Sequence, residues 1–260
     1  MIKRIIFDID NTLIDWKDEY WNSLKNVFDE LKLPYSNEIR AKIQYAVDNY
    51  ENGTNITYTE ELMMEAIEKE LGYKLPSNFF ETWIHYLGMC VPEKADDEVV
   101  YTLQYLKQKY DLVVLSNWFK KSQDERLKRL GLGKYFSATY MTENIPMKPN
   151  KEAFEIAKGK YEFYECVMVG DSFKTDVAGA INANMNVIFY DRNNLKLKQD
   201  EHVMATIHKF DELTDILWYT KLNIYKIKVC TKFAQFYYKQ CSGNLTSINN
   251  VMWTVAKITK

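Results

Sequence analysis

The chain has 260 residues, 47% of them apolar, which is enough for one large domain or for a domain with an insertion. The net charge of −2 conceals an asymmetry, because residues 221–260 carry seven lysines and no acidic residue, which leaves −9 for residues 1–220. No apolar run approaches the roughly 20 residues of a membrane-spanning helix, and the cysteines and histidines show no zinc-ligand spacing. These features predict a cytoplasmic protein that does not bind membranes.

The first part of the chain predicts one strand and then a long helical stretch. An apolar run from Ile2 to Phe7 indicates a buried strand, and a turn follows it up to residue 14. From about Trp16 to His85, apolar residues recur at i, i+3, i+4 and i+7, which is typical of helices. Breaks in this pattern fall at Pro34, Gly53, Gly72 and Pro76. We therefore predict an all-helical insertion directly after the first strand.

Alternation of strands and helices resumes at about Asp96. The predicted strands are Leu112–Leu115, Ala138–Met141, Cys166–Val169 and, as the final strand, Val187–Tyr190. The predicted helices are Val99–Lys109, Lys121–Leu130, Lys151–Lys160, Thr175–Ala183 and Phe210–Trp218. Such alternation is typical of βαβ units, which form a parallel sheet with helices on both faces. The predicted fold class is therefore α/β, with a helical insertion after the first strand.

Polar residues stand where several of these strands end. Asp8 and Asp10 follow the first strand, Ser116 follows the second, and Asp171 follows the fourth, with Asp176 shortly after it. Open parallel sheets bind their ligands outside the carboxyl ends of the strands. Clustered carboxylates repel one another unless a cation joins them, so we predict a metal site. Carboxylates combined with water and phosphate oxygens suit Mg²⁺ better than Ca²⁺.

The same segments suit phosphoryl transfer, in which catalysis depends on positioning and charge neutralisation. Asp8 is the predicted nucleophile, because carboxylates form aspartyl-phosphate intermediates. Asp10 projects to the same side of the extended chain and is the predicted general acid and base. We expect Ser116 and the backbone N–H of Asn117 to bind phosphoryl oxygens, and Lys148 to neutralise the developing charge.

Four short motifs resemble those of the haloacid dehalogenase superfamily in order and spacing, over about residues 1–220. They are Asp8-x-Asp10-x-Thr12, Ser116, Lys148-Pro149 and Gly170-Asp171-Ser172-x3-Asp176. The resemblance implies a Rossmann-like core with Asp8 as the nucleophile and Asp10 as the acid and base. It also implies Mg²⁺ held by Asp8, the Asp10 backbone carbonyl and Asp171, and Asp176 would support that set. The dehalogenase branch lacks an acid at the position of Asp10, so its presence here implies phosphoryl chemistry.

The helical insertion resembles the C1-type cap of that superfamily. We therefore predict a catalytic core formed by residues 1–14 and 96–220, and a helical cap formed by residues 15–95. Residues 221–260 form a basic extension to which we assign no catalytic role. A cap that closes over the site excludes water and favours small substrates.

The predicted function is that of a Mg²⁺-dependent phosphatase for a small phosphorylated metabolite, such as a nucleoside 5′-monophosphate, phosphoglycolate or a sugar phosphate. Two alternatives stay open. One is a sugar phosphomutase, in which a sugar hydroxyl accepts the phosphoryl group. The other is a non-catalytic protein whose basic segment 221–260 binds nucleic acid. The intact set of acids argues against the second alternative, so we do not expect a nucleic acid partner.

Overall fold

The structure is a computed structural model that describes residues 1–15, 19–52, 57–195 and 200–217. The chain divides into two compact units, and the larger of them, Ile2–Glu212, contains the sheet. The smaller unit comprises Met1 and Leu213–Lys260, of which residues 213–217 are described and helical. Trp218 and the basic segment 221–260 lie outside the described residues, so the expectations for them stay predictions.

Six parallel strands form one sheet in the order β3-β2-β1-β4-β5-β6. The strands are β1 (Arg4–Phe7), β2 (Asp111–Ser116), β3 (Ala138–Met141), β4 (Cys166–Gly170), β5 (Asn186–Tyr190) and β6 (Val203–Ile207). The chain builds outward from β1 through β2 to β3, and then places β4 on the other side of β1. This strand order is that of a Rossmann-like, doubly wound fold, as the sequence predicted. β1 and β4 are buried along their whole length, as apolar inner strands of a parallel sheet should be.

The prediction that Val187–Tyr190 is the final strand is wrong. Val203–Ile207 pairs with β5 and forms a sixth strand at the edge of the sheet. Only Ile207 of this strand is buried. Its sequence, VMATI, is as apolar as that of the predicted strand β3, ATYM, so the signal for this strand was present in the sequence.

Four helices lie between β1 and the next helix–strand unit, which confirms the helical insertion within the described residues. They are α1 (Glu19–Glu30), α2 (Asn37–Asn52), α3 (Glu60–Leu71) and α4 (Phe79–Met89). The later helices are α5 (Asp97–Leu106), α6 (Lys120–Arg129), α7 (Lys151–Lys158) and α8 (Ala178–Asn182), and single 3₁₀ turns occur at Gly133–Tyr135 and Phe163–Glu165. Across the described ranges, no helix is both long and apolar enough to cross a bilayer.

An apolar cluster joins the helical insertion to the segments that follow β2 and β3. Trp118, Phe119 and Met147 belong to these segments and are buried among residues of the inserted helices. The rings of Trp118 and Trp83 pack edge to face with their centroids 6.0 Å apart, and those of Phe119 and Phe80 do so at 4.8 Å. Aromatic pairs of this geometry stabilise an interface beyond the area that they bury. The insertion is therefore packed against the carboxyl ends of the strands.

The helix predicted from Thr175 begins two residues earlier, with a π-helical turn at Phe173–Val177 that leads into α8. The N–H groups of Asp176 and Val177 both donate to the carbonyl of Ser172, at 2.9 and 3.1 Å. Asp176 faces inward from this turn and is fully buried. Turns of this kind occur frequently at functional sites.

Candidate active site

The predicted site residues come together at the carboxyl ends of three neighbouring strands. Asp8 follows β1, Ser116 ends β2, and Asp171 follows β4. Because β1 lies between β2 and β4, the three residues are adjacent in space although more than 100 positions separate the first from the other two. The strand order changes direction at β1, and ligands of doubly wound sheets bind at such a switch point.

Three carboxylates form a cluster that could hold a metal ion. Asp8, Asp171 and Asp176 each offer one oxygen, and these oxygens lie within 4.8 Å of one another. Asp8 and Asp176 are buried, and Asp171 is partly buried. Hard oxygen donors at this spacing fit Mg²⁺, which binds one or two carboxylates and completes its shell with water and phosphate oxygens. The carboxylate of Asp10 is not part of this cluster. That the backbone carbonyl of Asp10 binds the metal ion stays a prediction.

Lys148 is the cation within the cluster. Its ammonium lies 2.7 Å from Oδ1 of Asp8 and 2.6 Å from Oδ1 of Asp176, and the side chain is 2% exposed. The other oxygen of Asp176 accepts a hydrogen bond from the N–H of Ser172 at 3.1 Å. The sequence predicted a charge-neutralising lysine, and its ammonium indeed joins two acids that stand far apart in the chain.

Burial is the largest single influence on the shifted pKa values in the cluster. Burial raises the pKa of Asp8 well above its ordinary range, Asp176 and Asp10 raise it further, and Lys148 opposes them. Burial also raises the pKa of Asp171 to about 6, with a contribution from Asp176. Burial alone would lower the pKa of Lys148, but Asp176 and Asp8 outweigh it and raise that pKa. Lys148 is therefore a cation at neutral pH, and a further cation would favour the ionised acids.

The side chain of Asn117 forms hydrogen bonds with the backbone of Lys148. Its side-chain amide donates to the carbonyl of Lys148 at 3.0 Å and accepts from the N–H of Lys148 at 2.8 Å. Thr142 Oγ1 also donates to the side-chain oxygen Oδ1 of Asn117 at 3.3 Å. The sequence indicated only the backbone N–H of Asn117. The side chain fixes the backbone from which the buried ammonium extends.

Two residues of α6 bind Asp10, and sequence reasoning missed both. Arg126 Nη1 lies 2.6 Å from Asp10 Oδ1, and Gln123 Nε2 donates to Asp10 Oδ2 at 2.9 Å. Gln123 Nε2 also donates to Ser116 Oγ at 3.1 Å. Helix α6 has the sequence KKSQDERLKR, in which nearly every residue is polar. Gln123 lies four positions before Leu127 and Arg126 four before Leu130, so helical spacing was the signal that could have placed both on the buried face.

Thr12 and Gly170 have specific neighbours in the site. Thr12 is fully buried, and its Oγ1 lies 3.5 Å from Asp171 Oδ1. At Gly170, an added Cβ would lie 2.2 Å from Asp176 Oδ2. Only glycine leaves room for the Asp176 carboxylate at this position.

A cavity of about 640 Å³ opens from the acidic cluster toward the helical insertion. The sheet side contributes Asp8, Asp10, Ser116, Asn117, Lys148 and Asp171 to its lining. The insertion contributes Trp21, Val47, Asp48, Glu51, Asn52 and Tyr58. Every residue that the sequence predicted for catalysis or phosphate binding therefore faces one space. Asp176 lies behind that space.

The family of the chain follows from comparison with known proteins. The family model of haloacid dehalogenase-like hydrolases matches residues 2–184, which include β1, the helical insertion, β4 and α8. The chain belongs to this family of hydrolases. The motif resemblance found in the sequence is thereby confirmed.

Individual relatives extend the comparison. The chain is 30% identical to the glyceraldehyde 3-phosphate phosphatase of Methanothermobacter thermautotrophicus over 235 residues, which are 84% of this chain and 100% of that protein. It is 25% identical to the pyrimidine 5′-nucleotidase YjjG of Escherichia coli over 224 residues, 82% of this chain and 96% of that protein. The HAD-hydrolase YfnB of Bacillus subtilis, solved bound to magnesium, matches with a TM-score of 0.63 at 22% identity, over 83% of this chain and 98% of that one. The last likeness shows the fold.

Proposed function

We propose that the protein is a Mg²⁺-dependent phosphatase that hydrolyses a small phosphorylated metabolite through an aspartyl-phosphate on Asp8. The observation that carries this proposal is the environment of Asp8. Asp8 is 7% exposed, its Oδ1 lies 2.7 Å from the ammonium of Lys148, and it faces the cavity. The two curated relatives described above are both named for removing phosphate from small molecules.

The first half-reaction transfers the phosphoryl group to the protein. An oxygen of Asp8 attacks phosphorus, and the bond between phosphorus and the leaving oxygen breaks. Asp10, in its protonated form, gives its proton to the leaving oxygen, so the product departs as an alcohol. The phosphoryl group then remains as an aspartyl-phosphate on Asp8.

The second half-reaction returns the site to its starting state. A water oxygen attacks phosphorus while Asp10, now ionised, takes a proton from that water. The bond between phosphorus and Asp8 breaks, inorganic phosphate leaves, and the Asp8 carboxylate is restored. Asp10 therefore serves first as an acid and then as a base.

The surrounding side chains neutralise and orient the phosphoryl group. Ser116 ends β2 beside Asp8, and its hydroxyl hydrogen is available because Gln123 occupies the oxygen as a donor. Lys148 supplies positive charge, and Asn117 holds the Lys148 backbone in place. Fixed charges and dipoles in a partly dry site stabilise developing charge more strongly than water does.

Asp8 and Asp171 would hold the Mg²⁺ ion, with the Asp10 carbonyl as a further ligand and Asp176 in support. When bound, the ion neutralises charge on the phosphoryl oxygens and on the clustered acids. The donor set supports this assignment, since all three clustered groups are carboxylates within 4.8 Å of one another. Burial raises the pKa values of Asp8 and Asp171, and a bound cation would favour their ionised forms.

We infer further that residues 15–95 form a cap domain over a core made of residues 1–14 and 96–220. The contacts of the inserted helices with Trp118 and Phe119, and their share of the cavity wall, support this division. A cavity of about 640 Å³ has the size of a small-molecule site. A folded phosphoprotein would not fit in it. The cytoplasmic location stays a prediction.

The wall formed by α2 narrows the choice of leaving group. Asp48 and Glu51 lie three residues apart on one face of α2, and both line the cavity. Glu51 is exposed to solvent there, and its Oε1 accepts a hydrogen bond from the Tyr58 hydroxyl at 2.9 Å. Besides Lys148, the cation Lys174 lines the cavity, and it donates to Asn52. Such a wall favours a leaving group with hydroxyls, as in a sugar or nucleoside, over one with a carboxylate, as in phosphoglycolate.

Release of inorganic phosphate from a panel of metabolites, measured with and without EDTA, tests the proposed function. We expect release from at least one hydroxyl-bearing phosphate ester, loss of release in EDTA, and recovery on adding Mg²⁺. Asp8→Asn should abolish turnover, whereas Asp29→Asn, an exposed acid on α1, should not. Activity that survives in Asp8→Asn contradicts the nucleophile. Isomerisation of a hexose 1-phosphate without phosphate release would instead indicate a phosphomutase.

A further inference from the structure

Two buried polar side chains of α6 hold both carboxylate oxygens of Asp10. Arg126 is 3% exposed and lies 2.6 Å from Oδ1, and Gln123 is 1% exposed and donates to Oδ2 at 2.9 Å. Arg126 Nη1 also donates to Gln123 Oε1 at 2.7 Å, so the two side chains fix each other. They stand three positions apart in the chain, so they lie on one face of the helix. Their donors converge on a single carboxylate.

Burying these groups is costly, and stability alone does not explain them. An arginine removed from water loses hydration that one ion pair repays only with good geometry, and apolar residues often replace such pairs without loss. Asp10 keeps 29% of its side chain exposed and lines the cavity. Each carboxylate oxygen can accept more than one hydrogen bond, so Asp10 can still face a ligand while the two donors hold it.

The pair also connects Asp10 to two other parts of the molecule. Gln123 Nε2 shares its hydrogens between Asp10 and Ser116 Oγ, which lies 3.1 Å away. Arg126 Nε donates to the carbonyl of Cys90 at 3.3 Å, directly after α4, where the insertion returns to the core. One network therefore links the acid group, the hydroxyl expected to bind phosphate and the end of the inserted helices.

We propose that Gln123 and Arg126 are positioning residues, which aim the carboxyl of Asp10 at the leaving oxygen of the substrate. This inference rests on the proposed function. The two side chains touch Asp10 and not the reacting atoms, so they act through its orientation. A displacement of about 1 Å in a reacting group can cost about 10²-fold in rate. Loss of either donor leaves one carboxylate oxygen of Asp10 without that hydrogen bond. The carboxyl group can then rotate away from the leaving oxygen, and proton transfer becomes slower.

The dependence of rate on the leaving group tests this proposal. An alkyl phosphate needs a proton on its departing oxygen, whereas 4-nitrophenolate leaves without one. In Arg126→Met, kcat/KM should fall about 10²-fold for the best alkyl phosphate of the panel and less than about threefold for 4-nitrophenyl phosphate. Gln123→Leu also releases Ser116, so it should change the ratio of the two substrates in the same direction and add a loss common to both. Arg126→Lys, which keeps one donor, should fall between wild type and Arg126→Met. Arg129→Met, which removes an exposed arginine of the same helix, should match wild type on both substrates.

A merely structural role gives a different pattern. Misfolding or a general loosening of the site lowers kcat/KM for both substrates alike, and that result overturns the proposal. Variants that behave like Arg129→Met on both substrates overturn it as well. Thermal unfolding measured alongside shows which variants fold. If Arg126→Met does not fold, Gln123→Leu and Arg126→Lys decide the question by the same ratio of substrates.

A second cavity gives an independent measurement. It has a volume of about 500 Å³, and Arg126 lines it together with Cys90, Val99 and Leu130. Guanidinium chloride at low, non-denaturing concentration should enter this space in Arg126→Ala and restore part of the alkyl phosphatase rate. Sodium chloride at equal ionic strength should not. Equal effects of the two salts contradict the proposal.

The failure of the proposed function has its own signature. Wild-type protein that releases no phosphate from any substrate, or Asp8→Asn that remains active, contradicts the phosphatase itself. An active wild type with an inactive Asp8→Asn, combined with no change of substrate ratio in the Gln123 and Arg126 variants, contradicts only the positioning role. Asp10→Asn supplies the reference, since it shows how far the ratio moves when the acid itself is lost.

Discussion

The ammonium of Lys148 lies 2.6 Å from Oδ1 of Asp176, and both side chains are almost completely withdrawn from solvent. The same ammonium lies 2.7 Å from Oδ1 of Asp8, so one cation serves two buried acids. Each acid alone would be expensive to bury, and so would the lysine. Their mutual contact is what permits an acidic cluster beneath the cavity.

Lys148→Met should therefore destabilise the protein as well as inactivate it. Removing one partner of a buried ion pair leaves unpaired charge, at a cost of about 3–5 kcal/mol. We expect a loss of that size in urea unfolding without metal, and a partial recovery when Mg²⁺ supplies positive charge. Lys69→Met, which removes an exposed lysine of α3, should change stability by about 0.5 kcal/mol or less. A Lys148→Met protein as stable as Lys69→Met would contradict the role of the ammonium.

Gly170→Ala should disturb the same contact by steric means. The new Cβ would lie 2.2 Å from Asp176 Oδ2, so the carboxylate must move away from Ser172 and Lys148. We expect a strong loss of phosphatase activity and a lower melting temperature. Gly133→Ala is the matched control, since an added Cβ there meets no atom within 4 Å. Equal activity of the two variants would show that the position of Asp176 does not matter.

Mg²⁺ affinity should fall as the pH is lowered through about 6. The pKa of Asp171 is raised from 3.8 to about 6, so between those values the folded protein holds a proton that the unfolded chain has released. Stability from this group in the metal-free protein therefore rises as the pH falls through about 6. Magnesium needs the ionised carboxylate, and its binding must displace the proton.

Calorimetric titration with Mg²⁺ measures that effect directly. Titrations at about pH 5.5 in two buffers of different ionisation enthalpy should give different apparent enthalpies, because a proton is released, while at about pH 7.5 the difference should shrink. Asp29→Asn should behave as wild type, and Asp171→Asn should lose most of the affinity. An affinity that does not vary with pH would place the ion elsewhere.

Selectivity for the leaving group should follow from Asp48 and Glu51. Glycerol 3-phosphate carries a terminal hydroxyl where 3-phosphoglycerate carries a carboxylate. The ratio of their kcat/KM values therefore measures the preference for a hydroxyl over a carboxylate. We expect a preference of at least about tenfold for glycerol 3-phosphate, because apposed like charges are unfavourable. The double variant Asp48→Asn/Glu51→Gln should reduce the preference, and Glu70→Gln, an exposed acid of α3, should not. A preference for 3-phosphoglycerate in the wild type would contradict the proposed role of this wall.

The sequence identified the residues of the acidic cluster because their signal is local. Asp8 and Asp171 each follow a short apolar run, and a parallel sheet brings the ends of such runs to one edge. The helical insertion was equally visible, since its apolar spacing extends over several turns. β6 was also within reach of the sequence, since four of the five residues of VMATI are apolar, although only Ile207 is buried at the edge of the sheet.

What the sequence by itself determined is the family, the order of the strands' motifs and the chemistry available at their ends, all of which are written in short stretches of chain. Only the tertiary structure decided which side chains bind and orient the residues of these motifs. Gln123 and Arg126 reach Asp10 across 113 and 116 positions, so no local pattern in their helix identifies the group that they bind. Asn117 likewise acts on Lys148, 31 positions away. A hydrogen bond requires two atoms to be adjacent in space, and for such distant residues only the complete fold sets that distance.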